Sequence, residues 1–358
     1  MDETACGESE LEYLRSYTLP TEERLRAACE TIAPQGFYIR HPPSPHLLKN
    51  FITPDEDLFQ TIHMGAATVA KEKWLLLIDG LVKRPFALTF SQLLQLPKTS
   101  VTAFHECYGS PVKPPTEAVW RIGNIKWTGV RLSYLLNLAQ PFPEARYVWS
   151  DGLDRGTFHG VSSDRYEKDL PLEKASQDEV LVAFEINGQP LSKERGGPAR
   201  LVVPGWFGTN MTKWLYRISL QDKRSPGPYT TTFYNETDPA DPEGKRRRPV
   251  WKVEVNSIIT KPVPEEAFKE GRIAVEGWAW CEEPVVGVLL SADEGKSWKE
   301  TEITPREDYS WQKWSADIDL KPGDYKLIAQ ARAASGVQQP MSGRRNHVHT
   351  VHIKVVPV

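Results

Sequence analysis

Residues 101–136 read VTAFHECYGSPVKPPTEAVWRIGNIKWTGVRLSYLL, and this stretch decides how the rest of the chain is read. It opens as a strand, because Val101, Ala103 and Cys107 lie among β-formers and turn residues follow at once. Gly109, Ser110 and Pro111 stop that strand and force a loop, which leaves the Cys107 thiol at the strand's end. A soft sulfur held at the lip of a strand by a rigid turn suits a metal or a nucleophilic reaction. Taken alone it also fits a buried core thiol. After Ile122-Gly123-Asn124 and Trp127-x-Gly129 comes an apolar helical run through Leu132, Leu135 and Leu136.

Outward from that stretch, the 358-residue chain is long enough for about two domains, and 40% hydrophobic content supplies their cores. A formal net charge of −3 gives no global attraction to nucleic acid or anionic membranes. No apolar run approaches the ~20 residues of a membrane span. The acidic start, MDETACGESELEYLRSYTLP, does not read as a secretion signal. Cys6, Cys29, Cys107 and Cys281 are scattered without C-x-x-C spacing, so neither a disulfide scaffold nor a zinc knuckle is expected. Free thiols favour a reducing compartment, and the cytoplasm is the expected location.

Residues 1–36 read as a lead-in followed by a short helix over 21–32, capped by Thr21 and ended by Pro34 and Gly36. A strand from Phe37 runs into the proline-stiffened Arg40-His41-Pro42-Pro43, where Arg40 and His41 are candidate anion-binding donors. Residues 74–81 form a largely buried strand, and 91–96 a helix capped by Ser91. Residues 180–186 form another strand, with the turn signal Asn187-Gly188 behind it. In KERGGPARLVVPGWFGTNMTKWLYR (193–217), a glycine loop lies between Arg200 and Lys213 and makes a plausible oxyanion cradle. Residues 236–250 are charged, contain prolines and read as a linker. From 251 to 358, about seven short strands with turns between them have the spacing of a β-sandwich whose tryptophans fill its core.

Several motifs follow one another in order. Cys107-x-Gly109 precedes I-G-N-x-x-W-x-G at 122–129, E-x-N-G-x-P-L at 185–191 and G-x-P-x-R-x-V-V-P-G at 196–205. K-W-L-x-R-I at 213–218 and Tyr234 come next, then G-W-A-W at 277–280 and S-x-D-x-G-x-S-W at 291–298. Together they resemble the sulfite oxidase family of molybdenum enzymes, over roughly residues 37–355. The resemblance implies a mixed α+β molybdopterin-binding domain over 37–235 and an immunoglobulin-like sandwich over 251–358 that pairs two subunits. It implies a molybdenum–molybdopterin cofactor with Cys107 as the protein's ligand to the metal. Tyr234 and Arg40 then fall at catalytic positions. His41, Arg195, Arg200, Met211, Thr212 and Lys213 fall at cofactor-binding ones. The implied reaction is oxygen-atom transfer to sulfite or a related small sulfur or nitrogen compound. With no haem motif in the chain, electrons pass to oxygen or to a redox protein.

The chain departs from the family's pattern where substrate is bound. The family's G-N-R-R after the cysteine is Gly109-Ser110-Pro111-Val112 here, and an arginine of the tail is replaced by the run from Cys281 to Pro284. A family histidine is Arg195, and an aspartate is Tyr134. Arginine forks bind oxyanions well, so these losses weaken the case for sulfite without touching the cofactor. Lys113 and Arg195 are candidates to restore charge. Three alternatives stay open: a nitrate-type reductase with the same centre, a thiol enzyme pairing Cys107 with His105, and a non-catalytic scaffold.

Overall fold

The computed structural model describes residues 19–32, 38–111, 120–238 and 240–358; Phe37, Lys113 and most of the lead-in lie outside them. The opening strand runs Lys98–Glu106, three residues longer at its start than its β-formers suggest. It pairs antiparallel with a ten-residue strand, Ile122–Arg131, in the register Ala103↔Ile125 and Glu106↔Ile122. Glycines and asparagine conceal this second strand in the sequence. Gly129 is required there, because a Cβ would stand 2.2 Å from the Val182 carbonyl oxygen of the neighbouring strand Leu181–Ile186. The helix that follows, Leu132–Ala139, buries Leu132, Leu135, Leu136 and Ala139 on one face and ends at Gln140 in the left-handed region.

Strands Lys98–Glu106, Ile122–Arg131, Leu181–Ile186 and Gln189–Pro190 lie side by side, with Arg200–Val202 also on Leu181–Ile186. A second sheet has the order Tyr166–Pro171, Tyr147–Gly152, Leu215–Gln221, Leu75–Gly80, Phe86–Thr89. One continuous apolar core contains residues of both sheets, among them Leu76, Ile78, Val130, Val182 and Ile218. The helix Phe90–Gln95 is capped earlier in the chain than expected, by Thr89 in a capping box with Gln92, not by Ser91. The helix expected over 21–32 stops at Arg26, and Cys29–Ile32 instead pairs as a strand with Ala67–Val69. Thr31 and Ile32 are β-branched, and the pairing available to them outweighs a short helix.

The stretch read as a linker contains a hairpin, Asn235–Thr237 on Arg247–Pro249. Its charges meet across the ladder: Arg248 Nε donates to Glu236 at 2.7 Å, and Arg246 pairs with Asp238 at 2.7 Å. Beyond it lies the all-β sandwich. Asn256–Lys261, Gly271–Trp280, Gln312–Leu320 and Glu302–Ile303 form one sheet, and a five-stranded sheet centred on Gly323–Ala333 forms the other. Val275, Val288, Leu290, Leu327, Val351 and Ile353 are buried between them.

Not all the tryptophans of the sandwich belong to its own core. Trp278 and Trp311 stack at 4.6 Å within a cluster that includes Phe104, Trp120 and Ile122 of the first domain. Their indole N–H groups donate to the Leu48 and Phe51 carbonyls at 2.6 and 2.9 Å. Tyr309 adds a short parallel bridge to the outer edge of Lys98–Glu106, its carbonyl accepting from Phe104 N–H at 2.9 Å and its N–H donating to Thr102 O at 3.0 Å.

Candidate active site

Cys107 follows directly on the last residue of the strand. Its N–H donates to Arg121 O at 3.0 Å, and its carbonyl accepts from Ser110 N–H at 3.1 Å. Ser110 Oγ in turn accepts from Arg121 N–H at 2.8 Å. These bonds fix the turn across the mouth of the strand pair and leave the thiol half-buried. Two donors face the sulfur: Thr61 Oγ1 and Arg121 Nη1, each 3.9 Å from Sγ.

The thiol opens onto a cleft whose empty space, with its solvent-open mouth included, is about 700 Å³. Arg195, Arg200 and Lys213 line it together with Met211 and Asp154. Arg200 projects from the strand Arg200–Val202, is 4% exposed, and donates to the Arg195 and Met211 carbonyls at 3.1 and 3.3 Å. Its guanidinium lies 4.9 Å over the Trp127 ring, and its Nε has no hydrogen-bond partner among the described residues. Lys213 Nζ donates to Thr61 O at 2.8 Å. Gly196, at φ +90°, lets the lysine stem pass, since a Cβ there would stand 2.5 Å from Lys213 Cβ. Burial first, and then the neighbouring Arg195, pulls Arg200 down to about 9. Burial and Arg200 pull Lys213 down to about 7. Burial pushes Asp154 up to about 7, against the pull of Lys213.

Around the thiol the lining changes to rings and hydroxyls: Thr61, His63, Tyr108, Tyr166 and Tyr234. His63 Nε2 and the Tyr234 hydroxyl form a short hydrogen bond. Tyr166 donates to Thr209 O at 2.6 Å. Burial, followed by the repulsion of Lys213, pushes His63 down to about 3, so its imidazole is neutral at ordinary pH. Burial holds the Tyr234 phenol well above its usual range, so it stays protonated.

The structure brings together Cys107, Tyr234, Arg195, Arg200, Met211 and Lys213 on this cleft. Arg195 spends its guanidinium on protein groups: Asp55 Oδ1 at 2.6 Å, and the Phe59, Asp55 and Leu58 carbonyls. Thr212 is fully buried behind the lining, its hydroxyl 2.7 Å from Ser150 Oγ. Arg40 is not among the lining residues; it donates to Asp55 O at 3.2 Å. His41 is exposed and likewise absent from the lining. The cleft histidine that meets Tyr234 is His63, in T-I-H-M-G, a stretch without the prolines that drew attention to residue 41. His105 lines the cleft but stacks on Phe59 at 5.2 Å, and three neighbouring cations add to burial in keeping it neutral. That environment does not favour the imidazolium of a thiolate–imidazolium pair. Sequence reading missed His63, Thr61, Arg121, Tyr166 and Asp154. Of these, Arg121 had a signal: an arginine between Trp120 and Ile122, an unusual charge in an apolar setting.

Two family models cover most of the chain. The oxidoreductase molybdopterin binding domain matches residues 63–229, beginning at His63, and the Mo-co oxidoreductase dimerisation domain matches 247–353. The chain is 30% identical to the sulfite oxidase of Gallus gallus, over 84% of this chain and 71% of the relative. The chain belongs to the sulfite oxidase family. It is also 30% identical to the mitochondrial sulfite oxidase of Drosophila melanogaster, over 88% of this chain and 61% of that relative, so the chain spans about three fifths of the latter's length. The crystal structure of the sulfane dehydrogenase SoxCD from Paracoccus pantotrophus superposes with a TM-score of 0.78 at 29% identity, covering 95% of this chain and 91% of that one.

The residues present fit the family's molybdenum–molybdopterin group. The cleft gathers three cations, while Arg195 alone is paired with a carboxylate and burial drives Asp154 toward its neutral form. Arg200 Nε, His105 Nδ1 and Asp154 Oδ1 are buried without partners among the described residues. A phosphate and the polar edge of a pterin would satisfy that charge and those atoms, and Cys107 supplies the soft donor that molybdenum takes.

Proposed function

We propose that the protein is a molybdenum-dependent oxidoreductase that transfers an oxygen atom to a small sulfur compound less charged than sulfite. The carrying observation is the single thiol, Cys107, set between a cationic end of the cleft and an aromatic, hydroxyl-lined end. When bound, the molybdenum–pterin group supplies the two-electron couple and the oxygen-atom chemistry. Arg200 and Lys213 would hold the pterin phosphate, with Met211 placing a carbonyl beside them, and Cys107 would ligate the metal. Thr61 and Arg121 direct donors at the sulfur. Tyr234 and His63 form a neutral pair that offers a substrate either a phenol proton or a phenol lone pair, according to the imidazole tautomer. Water supplies the oxygen atom, two protons are released and two electrons pass to an external acceptor, oxygen or a redox protein.

The ring end supports the substrate reading. Among the described residues that line the cleft around Thr61, Tyr108, Tyr166 and Tyr234 there is no arginine to fork an oxyanion; Arg121 reaches the sulfur from beyond that lining, and Arg195 is already tied to the protein. The likeness to a protein described as a sulfane dehydrogenase supports a sulfur compound of that kind, and the sulfite oxidase relatives support sulfite as a slower substrate. The dimerisation-domain match supports a homodimer, and the free thiols of Cys107 and Cys281 support a reducing compartment such as the cytoplasm. Molybdenum quantification on purified protein, with steady-state turnover of sulfite, nitrate, thiosulfate and a neutral sulfoxide, tests the reading. Protein purified without molybdenum, or nitrate turned over in preference to every sulfur compound, overturns it.

A further inference from the structure

Both chain neighbours of Cys107 are held from outside the first domain. Glu106 is fully buried, and its two carboxylate oxygens go to the sandwich: Oε2 accepts from Trp280 Nε1 at 2.8 Å and Oε1 from Arg345 Nη1 at 3.2 Å. The Arg345 guanidinium lies 5.2 Å over the Tyr108 ring and 4.2 Å over Phe207. From Arg345 a chain of charges runs on. Glu254 is 3.7 Å from Arg345, Arg248 is 3.7 Å from Glu254, and Arg248 Nε donates to Glu236 at 2.7 Å. The Glu236 carboxylate is close enough to the Tyr108 phenol to add to burial in holding it above its usual range, which closes a ring around the Cys107 turn. Tyr234, on the cleft, lies two residues before Glu236.

We propose that Arg345, carried by the sandwich, is a positioning residue for Cys107, fixing the thiol through Glu106 on one side and Tyr108 on the other. The inference rests on Cys107 being the metal ligand of the proposed reaction. A buried carboxylate one bond from the ligand residue is satisfied by the second domain alone, and so the sandwich is part of the catalytic unit as well as the pairing module. Loss of Arg345 leaves Glu106 with the Trp280 donor only and frees the Tyr108 ring. The turn then relaxes, and the sulfur moves relative to the cleft.

The test uses the full-length protein with Arg345→Gln, the conservative Arg345→Lys, and the milder Trp280→Phe, which removes only the indole donor. Arg272→Gln serves as a control, because it breaks an exposed ion pair with Asp317 on the same sandwich. Two readings are taken: turnover per bound molybdenum together with the Mo(V) electron paramagnetic resonance spectrum, and the iodoacetamide alkylation rate of Cys107 in cofactor-free protein. Arg345→Gln is expected to lower turnover per molybdenum about 10- to 100-fold, in line with small misplacements of reacting groups. It should shift the resonance and change the alkylation rate about threefold or more. Arg345→Lys should recover most of both, Trp280→Phe should move them less in the same direction, and Arg272→Gln should leave them unchanged. Should Arg345→Gln fail to fold, Trp280→Phe carries the test. Alkylation rate and spectrum both unchanged in a folded variant overturn the proposal. Wild-type protein without molybdenum would defeat the proposed function, while the alkylation rates would still decide the clamp.

Discussion

The two ends of the cleft are built differently. At the cationic end, Lys213, Arg200 and Arg195 are each anchored to main-chain carbonyls: Thr61, then Arg195 and Met211, then Phe59, Asp55 and Leu58. At the thiol end, His63, Tyr108, Tyr166 and Tyr234 meet through rings and hydroxyls, for example Tyr108 and Tyr234 at 6.2 Å. Main-chain anchors depend on the fold and not on any one neighbouring side chain, so the cationic end is as fixed as the sheets that carry it. The ring end, apart from the Tyr166 bond to the Thr209 carbonyl, is held by side chains and can change by substitution without disturbing those sheets. The difference teaches why the cofactor was readable from family motifs and the substrate was not.

The hardest blow to this comparison falls on the residue between the ends. Cys107→Ser should lower turnover by about 10³-fold or more, ~4 kcal/mol of barrier, and X-ray absorption should count one sulfur fewer at molybdenum. An unchanged sulfur count would show that neither end serves the thiol. At the cationic end, Arg200→Ala with Lys213→Ala removes two charge-assisted contacts of about 1.5–3 kcal/mol each. Cofactor retention should drop by roughly 10²–10⁴-fold while circular dichroism still reports the fold. Full pterin content in that double variant would break the assignment of this end.

At the thiol end, sulfite should bind about a hundredfold more weakly than in a pocket with two more arginines, with a half-saturation concentration that climbs with salt. Micromolar, salt-independent half-saturation would mean that other groups replace those arginines. The smallest effect separates the cleft from the sandwich. Burial pushes His349 down to about 3, so the folded protein keeps it neutral. Between pH 6.5 and about 3 the unfolded chain binds a proton that the folded one refuses, so stability falls as pH falls. The share from His349 is ~1.4 kcal/mol per pH unit. His349→Asn, followed by urea midpoints at pH 7, 6 and 5, should flatten the slope by that amount. A slope identical to wild type would place the acid sensitivity in the cleft histidines instead.

Much of this architecture was legible in the sequence, and what escaped has physical reasons. The strand into Cys107 announced itself through β-formers and the Gly109-Ser110-Pro111 stop. Its neighbour Ile122–Arg131 did not, because Gly123 and Gly129 serve close packing and look like loop residues. Arg40 and His41 drew attention through a proline pattern, although the cleft histidine bonded to Tyr234 is His63. The charged run before residue 250 looked like spacer because its charges satisfy one another across a hairpin that no local periodicity marks. Asp154 could not be found from sequence at all, since burial beside Lys213 gives it its character.

Tyr309 has a consequence for biogenesis. Its bridge covers the outer edge of Lys98–Glu106, which otherwise ends the sheet with open main-chain donors and acceptors. As the chain emerges from the ribosome, that edge is complete some two hundred residues before its cover is made. Throughout that interval the nascent first domain carries an adhesive border beside Cys107. A gene shortened before the sandwich should therefore yield inclusion bodies and not a tidy half-protein, and cofactor loading is best timed after Tyr309 has closed the border.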